Sequence, residues 1–352
     1  MTAGTRSRLR TALPARLLVR RLGGTLVLLV VLSVAVFALL QAAPGDPAQT
    51  LLGPRSATPE ALAAVRSRYH LDSPMAVQYW YWLVDAVHLD LGTSIRTGES
   101  VAAALGDRLA LTGQLVGLGF AVALLLGLPL GVLAGLRSRR PVDRAVQSLG
   151  VVALSTPAFA GGLLLIYVFA LMLGWFPAYG PGEGSGTDRL MHLVLPALAL
   201  GLAVTAVLLK LTRAAVVREL DREHVTFARA RGVRERDILL RYVLRGTVVP
   251  VLTGIGLVLA YLLAGTVMVE QVFALPGLGS LLVDSVTFRD VPVVQAEALL
   301  IAALVCLANL VTDLVQPLLD PRLRTAPAAK AARAVPATAA SRPSGIRTEE
   351  DR

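Results

Sequence analysis

Residues 109–136 read LALTGQLVGLGFAVALLLGLPLGVLAGL, 28 positions without a charged side chain. A helix of about 20 apolar residues crosses the hydrocarbon core of a bilayer, and a helix apolar on every face has no place at a water-facing surface. Working outward from this run, further charge-free stretches occupy 22–40, 145–173, 190–209, 246–269 and 298–312. The last holds 15 uncharged residues between Glu297 and Asp313. It reaches full length only by drawing in 291–297, its charged ends snorkelling toward water. Composition agrees: of 352 residues, 55% are hydrophobic and 16% charged, against about 25% charged in an ordinary soluble domain. These features predict an all-α integral membrane protein with six transmembrane helices, at 22–40, 109–136, 145–173, 190–209, 248–269 and 291–316.

The net charge of +10 is distributed as a topology signal and not as a nucleic-acid surface. Of 34 Lys and Arg, 27 lie before the first span, in the links after the second and fourth, and after the sixth; the other three links hold 7. Acids divide 11 and 13, so the two sides carry net charges of +16 and −6. Basic residues concentrate on the cytoplasmic side, which places both termini there: 1–21 as a cytoplasmic N-terminus, 41–108 as an extracytoplasmic segment, 323–352 as a Pro- and Ala-rich disordered tail. Trp80, Trp82 and Trp175 then fall outside. The first apolar run, 19 residues long, exceeds the 7–15 of a signal-peptide core, and reads as an anchor.

Catalytic chemistry finds no footing. Cys306 is the only cysteine, which excludes an intrachain disulfide and a thiolate metal cluster. His70, His88, His192 and His224 are scattered without metal-ligand spacing. The only lysines, Lys210 and Lys330, follow no Gly-rich turn, so no phosphate-cradling loop is present. The expectation is no metal, no cofactor held by this chain and no catalytic residue.

Gly127, Gly131 and Gly135 recur every four residues, as do Gly113 and Gly117, a pattern that lets helix backbones approach closely. Pro129 is expected to kink the second span, and Pro157 and Pro196 to break or bound the third and fourth. Such residues serve packing alone, or they loosen helices that line a pathway. The pathway or hinge candidates are Pro129, Ser155, Thr156, Pro157, Thr205 and Asn309. His192, Glu297 and Asp313 are taken as edge positions, and no Asp, Glu, His, Lys or Arg is expected to be buried within the spans; ion-coupled transporters keep such groups at membrane depth, so the energy source is expected elsewhere.

In the outer segment, Thr58-Pro59-Glu60 has the N-cap, N1 proline and first-turn acid of a helix start. Ser73-Pro74 starts a second helix rich in Tyr79, Trp80, Tyr81 and Trp82, suited to the lipid headgroup level or to a partner protein. Between the fourth and fifth spans, the loop 210–247 carries ten of the basic residues. It reads either as a solvated topology signal or as two short helices, 221–230 ended by Gly232 at its C′ position and 234–245 leading to Pro250. A helix held between two spans can pass force from a soluble partner to the bundle.

His224-Val225-Thr226-Phe227-Ala228-Arg229-Ala230-Arg231-Gly232, with Val249-Pro250 following, resembles the EAA loop of ABC importer permeases in the dipeptide, oligopeptide and nickel branch. Thr226 and Phe227 stand where the motif has Glu and Ala; Ala228 and Gly232 keep its pattern. Further similar segments follow in order: Pro44-Gly45-Asp46-Pro47, Leu71-Asp72-Ser73-Pro74, Gln78-Tyr79, Asp90-Leu91-Gly92-Thr93-Ser94, Pro276-Gly277-Leu278-Gly279, Arg289-Asp290-Val291-Pro292 and Asp320-Pro321-Arg322. The resemblance implies a type I importer fold over 102–317 in a prokaryotic plasma membrane. It implies a B-type permease paired with a C-type permease, two cytoplasmic ATPases that bind ATP and magnesium, and an extracytoplasmic binding protein delivering a peptide or nickel chelate. The coupling helix that docks into the ATPase would comprise Glu223, His224, Thr226, Phe227, Ala228, Arg231 and Gly232. An ATP-independent secondary transporter or channel is the alternative, and a membrane scaffold a third reading.

Overall fold

Among the described residues the most enclosed long helix is α8 (Gly186–Leu220), of whose most apolar stretch 67% is buried. The structure is a computed structural model that describes residues 15–42, 46–52, 58–183 and 186–319. Pro44-Gly45, Asp320-Pro321-Arg322, residues 1–14 and the tail 323–352 therefore lie outside the described residues. Against α8 pack α5 (Val101–Leu136), α6 (Pro141–Ser155), α7 (Ala158–Leu165) and α11 (Leu244–Val272); α13 (Val291–Leu319) packs on α11, and α1 (Ala15–Ala42) on α13. Shorter helices lie in the links: α2 (Pro47–Leu52), α3 (Pro59–Arg68), α4 (Met75–Val87), α9 (Glu223–Ala230), α10 (Glu235–Ile238) and α12 (Leu278–Thr287). Among the described residues there is no strand, only an isolated bridge between Thr93 and Ser100.

Among the described residues five helices are long and apolar enough to cross a bilayer, and a sixth crossing needs Pro141–Ser155 and Ala158–Met172 taken together. That pair departs from the single span expected at 145–173. The chain bends by 101° between Ser155 and Ala158, and the cause is Pro157. Its ring disfavours the α conformation in the residue before it, and Thr156 is extended at φ −92°, ψ 115° with its hydroxyl turned back to Val152 O at 2.9 Å. Beyond α7 a π-helical turn, Ile166–Met172, completes the segment. Pro129 and Pro196, by contrast, sit inside unbroken α5 and α8. Each removes one backbone donor, a loss that packed transmembrane helices absorb.

The core lies where α5, α8 and α11 meet, around Leu115, Leu193, Leu200, Leu208, Leu262 and Phe273. α5 and α8 run parallel in a four-residue register of close contacts. A Cβ on Gly127 would lie 3.1 Å from Leu208 Cβ, on Gly131 2.6 Å from Thr212 Cβ, and on Gly135 2.7 Å from Val216 Cβ; a Cβ on Gly201 would lie 2.6 Å from Gly119 O. Only glycine admits this approach. Gly113 and Gly117 do not share it: both are exposed, with nothing within 4 Å. The spacing is common to both sets, and only the rotation of α5 about its axis separates them.

Candidate functional site

α9 carries the segment that resembles a coupling helix, and it is mounted at three points. Along its underside Val225 and Ala228, one turn apart, are buried with Val216, Ile238 and Val243. At its start, Glu219 on the last turn of α8 receives Arg222 Nε at 3.1 Å and lies 3.2 Å from His224 Nε2. At its end, Arg229 makes a forked pair with Glu235 of α10, at 2.8 and 3.3 Å. A forked guanidinium–carboxylate pair fixes orientation as well as distance.

The helix ends in a Schellman motif: Val233 N donates to Ala228 O at 3.2 Å and Gly232 N to Arg229 O at 2.9 Å. Gly232 holds φ +73° in open space, so its backbone conformation alone requires glycine. The chain then enters α10, a π-helical turn at Leu239–Val243 and α11 without a break, forming one stretch from Glu235 to Val272. The separate helix expected at 234–245 is therefore the first part of a membrane-length helix. A displacement of α9 reaches α8 through Glu219 and α11 through Glu235 directly.

Of the residues expected to face a partner, Glu223, His224, Thr226, Phe227, Arg231 and Gly232 are exposed, Phe227 to 64%. Ala228 is not. It is buried against this chain's own core, so it supports the helix and offers no surface to a partner.

A second joint at this end was missed in the sequence. Asp143, at the start of α6, is 1% exposed and receives Arg213 of α8 through two bonds, at 2.6 and 2.7 Å. Arg139 N and Gln147 add bonds at 2.8 and 2.9 Å, so the buried carboxylate is fully satisfied. Arg21 on α1 pairs with Asp313 on α13.

At the opposite end of the bundle the structure corrects the expectation that the spans enclose no ionisable groups. Glu270 in α11 and Glu297 in α13 are both fully buried. Glu270 accepts from Thr112 Oγ1 at 2.7 Å and from Ser280 N at 3.0 Å, and Leu278 N donates to the same threonine oxygen at 2.9 Å. The carboxylate thus caps the N-terminus of α12, where free amides and the helix dipole favour an anion. Glycines in Pro276-Gly277-Leu278-Gly279 make room for it: a Cβ on Gly277 would stand 2.3 Å from Glu270 Oε1, and one on Gly279 2.4 Å from Val267 Cα. Neither oxygen of Glu297 has a hydrogen-bond partner. Both acids mark span edges in the sequence, and Gly-Leu-Gly after Glu270 was the available signal that something must fit close by.

Other segments that carry the family resemblance are brought together as staples of the links between α1 and α5 and between α12 and α13. Asp290 receives Ser94 Oγ at 2.5 Å and Ile95 N at 3.2 Å, joining Arg289-Asp290-Val291-Pro292 to Asp90-Leu91-Gly92-Thr93-Ser94. Asp46 accepts from Ala48 N at 3.0 Å and from Arg66 at 2.7 Å; the Arg66 guanidinium holds its carboxyl below the usual carboxylate range. Gln78 donates to Leu71 O and Ser73 O at 3.1 and 2.8 Å. Thr58 Oγ1 caps α3 through Ala61 N at 3.2 Å.

The pathway candidates are not gathered into one site. Thr205 is buried and donates to Gly201 O at 2.8 Å within α8, while Pro129, Ser155, Pro157 and Asn309 are exposed on different helices. Thr156 marks the bend.

Residues 127–325 match the family described as "Binding-protein-dependent transport system inner membrane component", and residues 15–116 match its N-terminal region. The chain is 40% identical over 306 residues to the glutathione transport system permease protein GsiC of Escherichia coli O6:H1, covering 87% of this chain and 98% of that protein. Its counterpart in Salmonella typhi is 38% identical over 305 residues, with 87% and 97% covered. Among solved structures, the inward-facing MetNI methionine ABC transporter aligns with a TM-score of 0.51 at 17% identity, covering 61% of this chain and 96% of that one, a likeness of fold. With Glu270 and Glu297 buried, the chain does hold ionisable groups inside the bundle, and the energy source follows from the family alone. The chain belongs to the binding-protein-dependent transport system inner membrane components and is a multi-pass, non-catalytic permease subunit of an ATP-binding-cassette importer.

Proposed function

We propose that this permease is the B-type half of a heterodimer with a C-type permease, and that two ATPases act on it through α9. Both termini and α9 lie on the cytoplasmic side in this reading, which rests on the basic residues of segments 1–21, 137–144 and 210–247. An extracytoplasmic binding protein delivers the solute to the opposite end. The carrying observation is the mount of α9: an exposed Phe227 on a helix pinned by Glu219 to α8 and by Glu235 to α11. ATP and magnesium belong to the partner ATPases. A short peptide is the substrate class, glutathione included, since the relatives are named for glutathione transport and cover nearly their whole length with this chain.

An exposed aromatic anchor at the centre of a docking patch contributes about 2 kcal/mol or more, roughly 30-fold in affinity. Phe227→Ala is therefore expected to abolish ATP-driven peptide uptake in vesicles containing all partners, and to release the ATPase during purification. Unchanged uptake with the ATPase retained would sink the docking assignment. Uptake of labelled glutathione against di- and tripeptides tests the substrate separately.

A further inference from the structure

α4 turns an apolar face away from the rest of the protein. Val77, Trp80, Tyr81 and Val87 are exposed, Trp80 to 62%, and at about 100° per residue they share one side of the helix with Val84. The other side is fastened down. Tyr79 OH lies 2.8 Å from Ser33 Oγ of α1, and the Phe37 ring sits 5.6 Å from Tyr79 and 5.7 Å from Trp82.

That fastening sets the height of the helix. The apolar span of α1 runs Val19–Ala38, and Ser33 lies five residues inside its end, about 7.5 Å at 1.5 Å per residue. A tyrosine side chain is only a few ångströms long, so the α4 backbone cannot stand far out in water. Its Tyr79–Trp82 turn therefore lies close to the level where the span of α1 ends. Below it, α1 exposes Leu26, Val27, Val30, Val31 and Val34, a surface that faces lipid in a membrane protein.

We infer that α4 is an interfacial helix embedded in the outer-leaflet boundary of the bilayer, with Trp80 and Tyr81 at headgroup level and its valines toward the acyl chains. Aromatic rings with one polar atom favour that depth, and an apolar patch left in water would be an association liability. Asp85, at the edge of this face, stays among the headgroups. The occupant is lipid and not the binding protein.

The test uses Val77→Cys and Val87→Cys, each with Cys306→Ser, spin-labelled in the complete importer in phosphatidylcholine vesicles. Glu99→Cys, on an exposed outer loop, serves as the aqueous reference. Both valine positions are exposed, and retained peptide-stimulated ATPase activity certifies assembly. Labels on α4 should collide several-fold more with oxygen than with a water-soluble nickel chelate, relative to the Glu99 label. A chelate-dominated profile at both sites would overturn the inference. Labels accessible to the chelate but immobilised when binding protein is added would also overturn it, and assign the face to that protein.

Discussion

Gly131→Ala tests the close packing of α5 on α8 against a control of identical chemistry. The added methyl would meet Thr212 Cβ at 2.6 Å and Leu209 O at 2.8 Å. Ordinary contact lies at about 3.5–4.0 Å, so the helices would have to part by about 1 Å at a backbone-to-backbone contact that no rotamer change relieves. Overpacking of this kind costs about 1–3 kcal/mol, partly offset by the gain of up to about 1 kcal/mol for alanine over glycine in a helix. The net expectation is a loss of about 1–2 kcal/mol by combining those ranges. Gly113→Ala, in the same helix with nothing within 4 Å, meets only the favourable part and should gain about 0.5–1 kcal/mol. Chemical denaturation of the detergent-solubilised permease, followed by helical circular dichroism, reads both. Equal shifts, or a Gly131→Ala protein more stable than the parent, would refute the register.

Asp143→Ala strands Arg213 against α6 and should destabilise by about 2–4 kcal/mol, reduced from a fully buried pair because Arg213 retains some solvent; Asp143→Leu with Arg213→Leu should recover most of that loss in the same denaturation assay. Glu270→Ala removes the cap of α12 and should raise hydrogen exchange across 276–290 while exchange in α9 stays at the parent level. Gly232→Ala forces a side chain into φ +73° at a cost of about 1 kcal/mol without a clash, so the spans should insert normally while the ATPase dissociates more readily on size exclusion. Ala228→Asp buries a charge among Val216, Ile238 and Val243, and should loosen α9 itself, seen as protease cleavage in the loop 210–247 even without the ATPase.

The parts of the fold legible in the sequence are those set by local chemistry. Length and apolarity place five helices, because the hydrocarbon thickness imposes the same requirement on any span. Thr58, Pro157 and Gly232 specify a cap, a break and a helix end through their own backbone and hydroxyl properties. The motifs in order from Asp46 to Pro292 carry the family resemblance, although what most of them do is brace the links between α1 and α5 and between α12 and α13. Burial of Ala228, the rotation that hides Gly131 and exposes Gly113, and the pairing of Asp143 with Arg213 across 70 residues are different in kind. They depend on which way each helix turns toward its neighbours.

The sequence alone therefore determined the class, five of the spans and the charge asymmetry, since each follows from how single segments partition between water and lipid. Tertiary structure alone decided that α9 is braced to α8 and α11, and that Glu270 and Glu297 are inside. Segment hydropathy places a charged residue at the edge of an apolar run. Whether that edge meets water or a neighbouring helix depends on packing between segments far apart in the chain.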